Sequence, residues 1–74
     1  MKYEWSQDSP TRFLYADPIG MMVAQVEYDD HTGAARWIGY DLTGEFSVKI
    51  GAFGDAQEAK VAVERYFQKM KGAA

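Results

Sequence analysis

A chain of 74 residues without cysteine makes one small domain that neither disulfides nor cysteine-bound metal can brace. Hydrophobic residues are 47% and aromatic residues 15% of the chain, which excludes a disordered polymer. The net charge of −3 lies in the first half, where residues 1–37 hold six acids against three bases and residues 38–74 hold five of each. That is a poor distribution for tracking phosphates, so nucleic acid is a less favoured partner than protein.

In chain order, Tyr3 and Trp5 alternate with Lys2 and Glu4 over residues 2–6, the period of a strand. Gln7-Asp8-Ser9-Pro10 is a turn signal. Residues 11–16 form a second strand with Phe13 and Tyr15 on one face, closed by the turn Asp17-Pro18-Ile19-Gly20. Residues 21–28 form a third, with Met22, Ala24, Val26 and Tyr28 on one face and Met21, Val23, Gln25 and Glu27 on the other. The loop Asp29-Asp30-His31-Thr32-Gly33 leads to a fourth strand over 35–42. There Ile38, Tyr40 and Leu42 oppose Trp37, and Gly39 invites an aromatic cover or a bulge.

Thr43-Gly44 is a compact turn signal, and residues 45–50 alternate most clearly, with Phe46, Val48 and Ile50 inward and Glu45, Ser47 and Lys49 outward. Gly51-Ala52-Phe53-Gly54 breaks that strand. Asp55-Ala56-Gln57-Glu58 is a capping box that opens a helix running to about Lys71, with Gly72 as its stop. Ala59, Ala62, Val63, Tyr66 and Met70 share its apolar face, with Phe67 beside them. Gln57, Lys60, Glu64, Gln68 and Lys71 line the opposite one. The expected fold is a single α+β domain: an antiparallel meander of four to five strands with one C-terminal helix packed on one face.

Little chemistry is within reach of these residues. His31 is the single histidine, and adjacent Asp29, Asp30 and His31 have no further ligand cluster to complete a metal site. The Gly51–Gly54 stretch lacks the Gly-Lys-Ser/Thr of a phosphate loop. The expectation is therefore a protein that is not an enzyme and needs no cofactor or metal. No apolar run approaches the roughly 18 residues of a membrane helix. Met1-Lys2-Tyr3-Glu4-Trp5 has no apolar stretch after its basic residue, so no signal peptide and a cytoplasmic location are expected.

The surplus is aromatic. Seven of eleven aromatic residues precede residue 42 in strands, and one helix covers one face of a sheet. The other face or an edge is then expected to expose rings among carboxylates, either for base stacking or for protein contact. Trp5 and Trp37, with Met21 and Val23 beside them, are the expected contact residues, rimmed by Glu27, Asp29 and Asp30. A second copy of the chain is the least demanding partner, since a two-fold dimer uses one patch twice.

The ending Gly51-Ala52-Phe53-Gly54-Asp55-Ala56-Gln57-Glu58-Ala59-Lys60-Val61-Ala62-Val63-Glu64, preceded by a strand bearing Trp37, resembles the C-terminal half of small phage- and prophage-encoded proteins. The resemblance implies an accessory protein of a mobile element in a bacterial cytoplasm, acting by binding a protein of a defence or host complex and inhibiting it. It implies no site residues. The expected function is a non-enzymatic protein-binding module. A sheet that binds single-stranded nucleic acid and a homo-oligomeric assembly subunit are the alternatives.

Overall fold

The computed structural model describes residues 2–30 and 35–73, with side chains as far as Lys69. Five strands follow in order: β1 (Glu4–Ser9), β2 (Arg12–Ala16), β3 (Met22–Asp29), β4 (Arg36–Asp41) and β5 (Val48–Phe53). One helix, α1 (Ala56–Ala73), ends the chain. The strands form one antiparallel sheet in sequence order, and α1 packs across one face of it. This is the expected α+β meander. Of the loop Asp29-Asp30-His31-Thr32-Gly33, residues 31–33 lie outside the described residues.

The register arranges the helix-side face in rows. One row runs Trp5–Tyr15–Ala24–Asp41–Val48, the next Gln7–Phe13–Val26–Gly39–Gly51, and a third joins Tyr28, Trp37 and Phe53. The small residues Ala24, Val26 and Gly39 form a trough in which Ala59 and Val63 are fully buried. Large rings stand to either side of it. A helix is about 10 Å across, whereas five strands at about 4.8 Å spacing span about 19 Å. The part of this face that α1 leaves uncovered, above β1 and β2, is filled by Tyr3, Trp5, Phe13 and Tyr15.

Two bulges set which residues reach this core. Tyr15 pairs with Ala24 but Ala16 pairs with Met22, so Val23 is an extra residue. It turns to the helix side and is buried, while Met22 moves to the open face. This reverses the simple alternation expected for Met22 and Val23. In the same way Gly39 pairs with Gly51 and Tyr40 with Lys49, so Ile50 is extra and packs against the core.

The fifth strand therefore differs from its expected place. It begins three residues later and continues through Gly51-Ala52-Phe53 rather than breaking there. β4 ends at Asp41, whose partner is Val48, so Phe46 has no strand to pair with and is 77% exposed. Val48 is also exposed, and Ile50 and Phe53 supply the packing instead. Gly51 makes this possible, because a Cβ there would lie 2.7 Å from the ring of Phe53, which folds back over it. Residues 42–47 form a longer connection than a compact Thr43-Gly44 turn.

The Asp55 cap forms as the spacing predicts, with the Glu58 amide donating to Asp55 Oδ1 at 2.7 Å. The helix continues past Gly72, which does not stop it. Ala59, Val63 and Phe67 face the core, and Ala62 lies half-buried at its flank. The Met70 side chain is outside the described set. Lys60 and Glu64, expected on the solvent face, instead lean over the β1–β2 aromatics.

Candidate functional site

The expected contact residues do not form one surface. Trp5 and Trp37 lie on the helix side, half-buried against the core, and not on the open face. Trp5 packs on Tyr15 with ring centroids 4.4 Å apart, and its indole N–H donates to Glu64 Oε2 at 2.9 Å. Lys60 Nζ sits 3.7 Å from the Phe13 ring centroid and 5.7 Å from that of Trp5. Trp37 is held between Phe13 and Tyr28, 5.8 and 5.2 Å away. The physical reason is the narrow helix: the rings were needed on the same face, beside it.

Of the other expected residues, Val23 is buried at its bulge and Met21 is exposed. Glu27 and Asp29 lie on the open face, cross-strand from Arg12 and Arg36, so each of these two acids has a base opposite it. Arg12 is itself paired with Asp8, which raises its pKa first through that hydrogen bond and then through charge. Asp30 is exposed beyond the end of β3. By register the open face of the strands carries Leu14, Gln25, Ile38, Lys49 and Ala52, with Tyr40 as its aromatic residue. It is therefore not the ring-bearing surface the sequence suggests.

The exposed apolar side chains gather elsewhere. In an up-and-down meander the β2–β3 turn and the β4–β5 connection lie at the same end of the sheet. Ile19 and Met21 lie in the first, beside Met22 at the start of β3; Phe46 lies in the second, before Val48 at the start of β5; all five are exposed. The Leu42 amide donates to the Val23 carbonyl at 2.9 Å, tying the two segments together. Ile19 is 79% and Met21 62% exposed.

This end is held in shape by its carboxylates. Asp17 Oδ1 accepts from the amides of Ile19 at 3.0 Å and Met21 at 2.9 Å. The Gly20 amide donates to the Asp17 carbonyl, with Gly20 at φ 91°, and the Asp17 amide donates to Met21 O. Across the end, Asp41 is 6% exposed and accepts from Thr43 N, Thr43 Oγ1 and Tyr66 Oη at 2.8, 2.6 and 2.6 Å. Burial pushes the Asp41 carboxyl up, but the bonds from Thr43 and Tyr66 outweigh it and hold the group below its ordinary range. The Tyr66 hydroxyl is correspondingly raised, first by that bond, then by burial and by the Asp41 charge. Asp17 thus fixes the turn that bears Ile19 and Met21, and Asp41 fixes Thr43 at the start of the connection that bears Phe46.

Sequence reasoning singled out Met21 but missed Ile19 and Phe46. Asp17-Pro18-Ile19-Gly20 did carry a signal: an isoleucine inside a turn has no strand or helix face through which to be buried. Among the described residues no group of three or more acids and histidines is placed to hold a metal ion. No helix of the described residues is long and apolar enough to cross a membrane. Comparison with protein families, curated proteins and solved structures finds no match to this chain.

Proposed function

We propose that this chain is a non-enzymatic protein-binding module whose contact surface is the apolar end built from the β2–β3 turn and the β4–β5 connection. The observation that carries this reading is the pairing of exposure with order: Ile19 and Met21 stand outside the core on a turn fixed by Asp17. Ordering costs at a contact surface are lowest where the loop is already held. Apolar side chains exposed together on a small protein mark a contact site for another protein. The mobile-element setting implied by the C-terminal resemblance makes the partner a bacterial defence or host complex, and the module its inhibitor in the cytoplasm. A single-stranded nucleic-acid role has less support, since the open face offers Tyr40 alone for stacking.

A photo-crosslinking amino acid placed at residue 19, at residue 46 and, as a control, at Ser6 on the open face tests this in the native cell. The reading expects one and the same protein joined to positions 19 and 46, and none to position 6. Ile19→Asp with Phe46→Asp should abolish that product at an unchanged melting temperature. Crosslinks confined to position 6, or to nucleic acid, would overturn it.

A further inference from the structure

We infer that the free edge of β5 and the adjoining flank of α1 form a two-fold interface for a second copy of this chain. Ile19, Met21 and Phe46 of the apolar end lie outside this surface, so the two assignments are tested by different variants.

The sheet has two edges, β1 and β5. Both edges carry a bulge, at Asp8 in β1 and at Ile50 in β5, but β1 is further defended against pairing by the carboxylates of Glu4 and Asp8 and by Pro10 just beyond it. β5, Val-Lys-Ile-Gly-Ala-Phe, carries one charge and no proline. Its backbone groups are set for a partner. The Leu42 amide bonds back to β3, so even-numbered residues of β4 face β3 and odd-numbered ones face β5. Val48, Gly51 and Phe53, which pair with Asp41, Gly39 and Trp37, bond inward, and Lys49 and Ala52 turn their N–H and C=O groups to the free edge. An antiparallel two-fold between Ile50 and Gly51 places Lys49 opposite Ala52 of the second copy, which joins these groups and opposes no like charges.

The same axis suits the helix. A groove of about 510 Å³ runs along the outer side of α1 beside Phe53, lined by Glu58, Val61, Ala62 and Arg65. Residue 39 pairs with Gly51, and its missing Cβ would touch Val63 and Ile50, so the Ile50–Gly51 step stands level with the Val61–Val63 turn. With two antiparallel copies of α1 centred between Val61 and Ala62, Glu58 and Arg65 lie equally far before and after the centre. Each Glu58 then meets Arg65 of the second copy, twice over. A two-fold interface requires this self-complementarity, in which residue i meets j and j meets i. Arg12–Asp8 is the ion pair among the described residues, so Glu58 and Arg65 are not committed to each other or to a neighbour within the chain.

Sedimentation equilibrium from about 1 to 500 µM tests the interface on the full chain. A reversible dimer is expected. Arg65→Glu should weaken it about tenfold, since two exposed pairs of opposite charge become two like-charged ones. Glu58→Arg with Arg65→Glu exchanges the charges and should restore dimerisation. Ala52→Pro removes an edge-facing N–H while sparing the bonds to β4 and should also weaken the dimer. The circular dichroism melt of Arg65→Glu should match that of the parent, because Arg65 is exposed, whereas the double variant should melt slightly lower for the loss of the first-turn acid Glu58. A monomer throughout the range, or a dimer insensitive to Arg65→Glu, overturns the inference. So does a dimer lost in Ile19→Asp but kept in Arg65→Glu, which would move the interface to the apolar end.

Discussion

Val63 of the helix occupies the space that a side chain at residue 39 would need: a Cβ on Gly39 would lie 2.9 Å from Val63 Cγ2. The contact sets how closely α1 lies on β4, and with it the height of the groove beside β5 and the reach of Tyr66 to Asp41.

Gly39→Ala should therefore destabilise the fold by about 1–3 kcal/mol, the usual cost of overpacking. Val63→Ala alone should cost a similar amount through the cavity it leaves. The double variant should lose clearly less than the sum of the two, because the new methyl fills part of that cavity. Urea unfolding of the four proteins measures the coupling, and strict additivity would mean that the two residues are not in contact.

The displaced fifth strand makes a sharp contrast between two phenylalanines. Phe53→Ala should cost about 2–4 kcal/mol, since the ring packs on the core and over Gly51. Phe46→Ala should change stability by no more than about 0.5 kcal/mol. Equal losses would return the strand to residues 45–50.

Asp41 and Tyr66 make stability depend on pH at both extremes. Asp41 is held below its ordinary value of 3.8, so around pH 4 the unfolded chain binds more protons than the folded one. Its contribution is complete above that value and is lost as pH falls through the lower folded one. Tyr66 is raised above 10.0, so its contribution is complete below pH 10 and is lost as pH rises through the higher folded value. Tyr66→Phe should cost about 1–3 kcal/mol near neutrality and move the acid unfolding midpoint to higher pH. Part of the alkaline loss should remain, because Tyr15 is also raised, by burial first and then by the charge of Glu64. An acid midpoint unmoved by Tyr66→Phe would contradict the role given to this bond.

Lys60 acts as a lid over the β1–β2 rings through both its stem and its charge. Lys60→Met keeps most of the stem and should cost about 0.5–1 kcal/mol. Lys60→Ala, which also uncovers Phe13 and Trp5, should cost more. Tryptophan emission in a Trp37→Phe background reports on Trp5 alone and should shift to longer wavelength in Lys60→Ala. An unshifted spectrum would place Trp5 away from Lys60.

The local pattern was enough to establish an antiparallel meander of four to five strands, the capped helix and the turn at Asp17. These follow from periods of two and 3.6 and from cap chemistry, which act over a few residues. Three things depended on contacts far apart in the chain. Val23 changes face because Ala16 pairs one residue out of step, and pairing is a relation between strands rather than a property of either. The fifth strand extends to Phe53 because Trp37 offers it a partner, while Phe46 is stranded beyond the end of β4. The tryptophans join the core because one helix is narrower than five strands, so the uncovered part of its own face has to be filled with rings. The exposed apolar residues Ile19 and Phe46 then fall at the same end of the sheet, a placement that only the meander decides.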